Sequence, residues 1–373
     1  MPLSPRHGGW RRTALWVALG LVVASVGTLT WPLPEWRTGR QHVAPLALST
    51  GDHFSTAAQR IWVDTDAACG TAPRADPDDC LALLLLAGAS QSQWAGISTV
   101  FGNAALDITD RTTRQLVAAL SALQPMPAVH AGAAKPSPAV DPVERPAARA
   151  LREALQQGRL TIVALGPLTN VAAALQGRPD LQQRVERLVA VMGRRPGHLF
   201  HPAEGAPGAM LLGHGPVFRD LNVVSDPHAA AAVVRMSMPL VLVPYDAARQ
   251  VELTAADLAR LRSRGGAQAW VAERSTSWLN YWRDDIGRSG FYPFDLLAAS
   301  FALRPDLHRC ASVSVRVGTD PTLWPPFRRQ HALLAGPHAK VSSGTSLAEG
   351  SAVYCPGVAD GLHAWLAARL GGS

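Results

Sequence analysis

From Ile61 onward the chain alternates short β-prone runs with longer helix-prone stretches, and that rhythm limits the fold more than any other feature. The run Ile61-Trp62-Val63 ends at Asp64, and an apolar helix is expected from about Asp78-Asp79 through Leu86. WAGISTVFGN reads as a strand ending at Gly102-Asn103, and a helix opens near Asp107 and runs through Leu120. MPAVHAG, RLTIVALGPLTN, RVERLVAVMG and MPLVLVPYD supply further strands, with helical segments after Pro167, over DPHAAAAVVRMS and between Leu253 and Leu303. Strands joined by helical crossovers form a parallel sheet covered on both sides. The expected fold is therefore α/β, an open, mostly parallel (mixed) sheet with helices on both faces. No fixed-period repeat is present, which excludes a solenoid.

Between the first strand and its helix the segment IWVDTDAACGTAPRADPDDCLALLLL carries Asp64, Asp66, Asp76, Asp78 and Asp79. In an open α/β sheet, ligands bind beyond the carboxyl ends of the strands, which is where these carboxylates fall. A cluster of this kind invites a hard cation. Asp78 and Asp79 also suit a helix N-terminus, where backbone N–H groups and the helix dipole favour negative charge.

The 373 residues are enough for one large domain with a sizeable core. A formal net charge of +7 comes almost wholly from arginine, with lysine only at positions 135 and 340. The arginines are scattered and lack interleaved aromatics, so nucleic acid is not an expected partner. Arg6, Arg11 and Arg12 precede an uncharged run from Thr13 to Pro34, long enough to cross a bilayer at about 20 residues per span. Residues 1–34 are thus either a transmembrane anchor or a cleaved signal peptide, with Ser25-Val26-Gly27 a workable cleavage site. Either reading exports the remainder, to the periplasmic or extracellular side of a membrane or into the medium. Residues 35–59 read as a linker, and residues 60–373 as the globular domain.

Export makes disulfides permissible for the four cysteines. Cys310 opens the strand-like CASVSVRV and Cys355 closes SAVYC, while Cys69 and Cys80 flank the acidic loop. Four cysteines allow three connectivities, and spacing does not choose among them. A zinc site is not expected, because the chain has neither a CxxC pair nor a cysteine beside a patterned histidine pair.

VDTD with a later DD before LALLLL, GISTVFGN, VALGPLTN, FRDLNVVSDPHAA and PLVLVPYDAARQVELTAADLARL, in this order, resemble the inosine-uridine preferring nucleoside hydrolase family. The resemblance runs from about Ile61 to Leu370 and implies that family's Rossmann-like sheet. It also implies hydrolysis of the N-glycosidic bond of ribonucleosides to free base and ribose, by a calcium-bound water activated by an aspartate. Carried over by motif, Asp66 is the catalytic base. Asp66, Asp79, the carbonyl of Leu165 and Asp295 are the Ca2+ ligands, and Asp78, Asn103, Asp220, Asn222 and Asp295 are the ribose contacts. The implied partner is a small nucleoside, in the context of purine and pyrimidine salvage; a homo-oligomer is compatible with the sequence, which does not fix the assembly.

Each residue also has a plainer reading. Asn103 suits a turn after a strand, LGPLTN a strand-to-helix turn in which Thr169 or Asn170 supports backbone, and Asp295 an N-cap. Asp220 and Asn222, two apart, point the same way if that segment is extended. A DxD after a strand also suits a phosphatase with Asp64 as nucleophile and Asp66 as acid, although LGPLTN and DLN then go unexplained.

The chain departs from the family in three places. Residues Ala67 to Pro77 intervene where three residues are usual, so Asp76 competes with Asp78 for a place in the site. Asp220 replaces a common Glu. Phe294 stands where a His often protonates the departing base, and Phe has no proton to give. Substitute acids are Tyr281, Tyr292, His198, His201 and His214, the last where the family often has Asn. Trp278 and Trp282, at helical spacing, are candidates to stack a base or to fill the core. If Phe294 marks lost catalysis, the chain is instead a nucleoside- or ribose-binding protein on the same scaffold.

Overall fold

The computed structural model describes residues 46–51, 59–90, 92–136, 145–198, 219–323, 329–336 and 345–371. Their strands are β1 (Ser49–Thr50), β2 (Gln59–Thr65), β3 (Ser92–Thr99), β4 (Val129–Ala131), β5 (Leu160–Ala164), β6 (Val185–Ala190), β7 (Leu240–Leu242), β8 (Leu253–Thr254), β9 (Gly290–Phe291), β10 (His308–Thr319), β11 (His331–Gly336) and β12 (Ser346–Val358). One sheet runs β1-β10-β12-β7-β6-β5-β2-β3-β4, with β11 pairing β10. From β12 to β4 every pairing is parallel, and β10 pairs antiparallel with β1, β11 and β12. The mixed, mostly parallel sheet agrees with the strand and helix rhythm of the sequence.

The helices that matter below are α1 (Asp78–Ala87), α2 (Leu106–Leu120), α3 (Pro146–Gln156), α4 (Thr169–Leu175), α5 (Leu221–Ser225), α6 (Pro227–Val234), α7 (Tyr245–Ala248), α8 (Ala255–Ser263), α9 (Gly266–Tyr281), α10 (Phe294–Leu303) and α11 (Leu362–Gly371). The two-residue period of a strand sends alternate side chains into two separate cores. Ile61, Val63, Val163, Val189 and Val241 face the layer of α1, α9 and α10. Trp62, Ile162, Leu188, Leu240 and Leu242 face that of α3, α4 and α6. Strands covered on both sides must be apolar on both sides, which is why β5 and β7 are buried throughout.

Antiparallel pairing of β10 with β12 brings CASVSVRV beside SAVYC, and Cys310 is bonded to Cys355. The other bond joins Cys69 to Cys80. Within the stretch read as a linker, Ser49 and Thr50 pair with Cys310 and Arg309 as an edge strand. Among the described residues no helix is long and apolar enough to cross a membrane. The run from Thr13 to Pro34 lies outside them.

Candidate active site

The sheet changes direction at β2. The chain proceeds from β2 to β3 and β4 toward one edge, whereas β5, β6 and β7 build outward on the other side. The crossover connections therefore diverge between β2 and β5 and leave a crevice beyond their carboxyl ends, bounded by Asp64-Thr65-Asp66 and Leu165-Gly166.

Asp64 is consumed by the framework. Its Oδ1 accepts from Ser98 Oγ on β3 (2.5 Å) and from Asn170 Nδ2 on α4 (2.8 Å). The same Asn170 amide donates to Thr99 O (2.9 Å), and its oxygen accepts from Ala133 N (2.9 Å). LGPLTN is thus a strand-to-helix turn whose asparagine ties β2, β3 and the segment after β4 together. Complete burial pushes Asp64 up to about 7.

Two residues further on, Asp66 enters the crevice. Asp66, Asp79 and Asp295 bring carboxylate oxygens within 4.8 Å of one another, all three buried. Asp66 Oδ2 accepts from Asn103 N (2.9 Å). Asp79 Oδ1 accepts from the Thr65 hydroxyl and from Asp66 N (3.2 Å), and its Oδ2 accepts from Asn103 Nδ2 (3.1 Å). Two glycines make room for this packing. A Cβ on Gly102 would collide with Asp66 Oδ2, and one on Gly166 would stand 3.0 Å from Asp66 Cγ.

Burial raises all three carboxylates, and for Asp66 and Asp295 it drives them well above the ordinary range with help from the neighbouring charges. Asp66 and Asp79 accept from a hydroxyl, an amide and backbone N–H groups, and the carboxyl groups of Asp66, Asp79 and Asp295 hydrogen-bond among themselves; none of these partners carries a full positive charge. The N-termini of α1 and α10 adjoin the cluster and supply only partial charge. Buried anions this close are stable when a cation joins them. The donor set is all oxygen, and Leu165 lines the same cleft. It suits a hard divalent ion.

Asp78 occupies the first position of α1 and accepts from Asp79 N and Asp295 N (both 3.1 Å). Burial, then the charge of Asp79, lifts it to about 6. Asp76 lines the same cleft, and its Oδ1 accepts from Asp78 N (3.2 Å). The inserted residues form a loop whose ends are closed by Cys69–Cys80, so the longer excursion still returns Asp79 to the cluster.

Asp66, Asp76, Asp78 and Asp295 form one side of a cleft of about 360 Å³ that Asn103, Leu165, Asp220, Asn222 and Phe294 also line, with Asp79 buried beneath it. Asp220 and Asn222 sit on the cleft in a helical setting rather than an extended one. Asp220 caps α5, accepting from Val223 N (3.2 Å), and its other oxygen accepts from Gly193 N (2.7 Å), which ties the start of the helix to the end of β6. Its carboxyl is raised to about 6 by desolvation. Asn222 Nδ2 donates to Leu165 O (2.6 Å) and Val191 O (2.9 Å), joining the ends of β5 and β6.

Among the substitute acids, His198 lines the cleft. Tyr292 is buried behind it, packed edge-on against Trp282 with centroids 4.7 Å apart, and Tyr281 packs on Trp278. Trp282 is fully buried core, whereas Trp278 reaches the cleft wall. His201 and His214 lie outside the described residues. Tyr245, Asp246, Arg194 and Arg219 also line the cleft and were not singled out by sequence. The position of Tyr245-Asp246 directly after MPLVLVP, at the carboxyl end of a parallel strand, is the signal that marks them.

The model of the family described as inosine-uridine preferring nucleoside hydrolase matches residues 61–338. The chain is 26% identical over 294 residues to an uncharacterised protein of Schizosaccharomyces pombe, covering 71% of this chain and 86% of that one. It is 28% identical over 257 residues to the pyrimidine-specific ribonucleoside hydrolase RihA of Salmonella typhimurium, covering 62% and 77% respectively. In fold it is similar to the plant nucleoside hydrolase PpNRh1, with a TM-score of 0.64 at 18% identity over 85% of this chain and 100% of that one. The purine-preferring ribonucleoside hydrolase from Gardnerella vaginalis gives 0.61 at 20% identity, over 84% and 98%.

Proposed function

The chain belongs to the inosine-uridine preferring nucleoside hydrolase family, a family of hydrolases acting on N-glycosyl bonds, and from that premise we propose how its cleft splits a ribonucleoside. The observation that carries the reading is the convergence of the buried carboxylates of Asp66, Asp79 and Asp295 within 4.8 Å of one another. These residues would hold Ca2+, whose preference for several hard oxygens they match. When bound, the ion lowers the pKa of a coordinated water and so makes a nucleophile available near neutral pH.

The remaining work falls to the chain itself. Asp66, its second oxygen fixed by Asn103 N, takes the proton from the attacking water. Asp78, Asn103, Asp220, Asn222 and Asp295 hold ribose hydroxyls, and the carboxylates among them stabilise positive charge that develops on the sugar as the glycosidic bond lengthens. Phe294 and Tyr245, with centroids 6.1 Å apart, offer the base an apolar surface. Closing the nucleoside into a crevice of this size excludes bulk water from the reacting carbon.

Export of the domain, with residues 1–34 as anchor or signal peptide, is part of the same proposal. Two disulfides agree with an oxidising compartment. The second reading, a nucleoside-binding protein without turnover, is favoured by Phe294, which cannot protonate a base. Incubating the purified chain with Ca2+ and a panel of purine and pyrimidine ribonucleosides, and measuring reducing sugar, separates the two. Tight binding with no sugar released from any member would replace the hydrolase with the binder.

A further inference from the structure

We propose that His198, oriented by Asp246, is the acid that protonates the departing base. This rests on the hydrolase reading of the cleft.

A purine or pyrimidine anion is a poor leaving group, so breaking its bond to C1′ at neutral pH calls for a proton on the base. Most groups along the cleft cannot deliver one. Phe294 has none, and the arginines 74, 194 and 219 hold theirs too tightly. The carboxylates of the cluster must be ionised to act as base and ligands. Tyr245 has a phenol that ordinarily titrates near 10. His331, half-buried at the rim, is driven toward its neutral form by desolvation and by His228.

His198 is built differently. It is 2% exposed, and its Nδ1 stands 3.6 Å from Asp246 Oδ1, the separation of an ion pair when the ring is charged. The other oxygen of Asp246 accepts from Tyr354 OH (3.2 Å), so the carboxylate is itself held. The loop bearing the histidine is fastened from both sides. Gly197 N donates to Asp320 Oδ2 (2.8 Å), Arg194 pairs with the same carboxylate (2.5 Å), and Arg194 Nη1 donates to His198 O (3.2 Å). A carboxylate facing Nδ1 keeps a proton on that nitrogen, so the proton that the doubly protonated ring can hand over is the one on Nε2.

The histidine also lies along the wall where a base would rest. Phe294, beside the ligand Asp295, approaches Tyr245 with centroids 6.1 Å apart, and Tyr245 approaches the His198 ring at 6.4 Å. A base packed on this wall has the imidazole at its edge. In the step itself the C1′–N bond breaks and its electron pair goes to the base nitrogen, which takes the Nε2 proton. The water oxygen bonds to C1′ and gives its proton to Asp66. That proton returns to His198 through solvent, which closes the cycle.

The experiment compares His198→Gln with the unaltered chain on two substrates, a natural nucleoside such as inosine or uridine and p-nitrophenyl β-D-riboside, whose phenolate leaves without protonation. Turnover of the nucleoside should fall by about 10²–10⁴-fold, the usual contribution of a general acid, and that of the aryl riboside by less than about tenfold. Asp246→Asn should shift the ratio of the two in the same direction, which guards against a folding defect in the first variant. Parallel losses on both substrates in both variants, or no loss on the nucleoside, overturn the assignment of His198. An unaltered chain inert toward both substrates overturns the hydrolase reading and this inference with it.

Discussion

The backbone N–H of Asp295 donates to Asp78 Oδ2 across 3.1 Å, joining residues 217 positions apart in the chain. It locks the N-terminus of α10 to that of α1, which pack side by side over the sheet. Each helix contributes one carboxylate to the cluster from its first turn, Asp79 from α1 and Asp295 from α10. The bond sets their spacing before any ion arrives.

Replacing Asp66 by Asn should leave the fold intact and lower turnover of a ribonucleoside by about 10²–10⁴-fold, because the amide accepts no proton. Steady-state release of ribose, with circular dichroism to confirm folding, measures this. Undiminished turnover would move the base elsewhere.

Cation dependence should grow with pH. Asp64 and Asp78 titrate near 3.8 when exposed but at about 7 and about 6 in the folded chain, and Asp66, Asp79 and Asp295 are raised too. Their protonated forms are the ones the metal-free fold favours, so this contribution is present at acid pH and is lost as pH rises from about 4 through 7. Buried His308, pulled down to about 3, works in the opposite sense. The clean observable is the rise in Tm on adding Ca2+ to chelator-treated protein, expected to be small at pH 5 and large at pH 7.5 because binding displaces protons. A shift of equal size at both values would contradict it.

Gly102→Ala tests the crowding around Asp66. The added Cβ collides with Asp66 Oδ2, so the carboxylate must move, and a displacement near 1 Å costs on the order of 10²-fold in rate. Activity should fall far more than stability, as read by turnover beside a urea melt.

Removing the Cys69–Cys80 bond by a double Ser substitution should cost about 3 kcal/mol on loop-closure entropy for a separation of 11 residues. Affinity for the cation should fall with it, since Asp79 adjoins Cys80. A variant with unchanged Ca2+ affinity, measured calorimetrically, would assign the bond to stability alone.

What the sequence made legible follows from short-range physics. Alternating strands and helices disclosed the parallel sheet, and Asp66, Asp78 and Asp79 were legible because they follow a strand and open a helix. Asp295 could be placed only through the family motif, since its neighbours in space come from a distant part of the chain. The local geometry of Asp220 and Asn222 is not fixed by their spacing, because it depends on bonds to Gly193, Leu165 and Val191, which no spacing rule contains. The place of Asp246 after a strand marks it as a site candidate, but not its role. Its meaning lies in His198 and Tyr354, brought to it by separate strands and loops.

The bond between Asp295 and Asp78 also bears on the order of events in folding. Contacts this distant in sequence form late, after the intervening strands have paired. The three carboxylates therefore have no common location on a partly folded chain, and a cation finds nothing there to bind tightly. An ion that recognises only the finished structure pulls the equilibrium toward it by mass action without helping the chain to get there. Calcium should accordingly slow unfolding while leaving the refolding rate nearly unchanged.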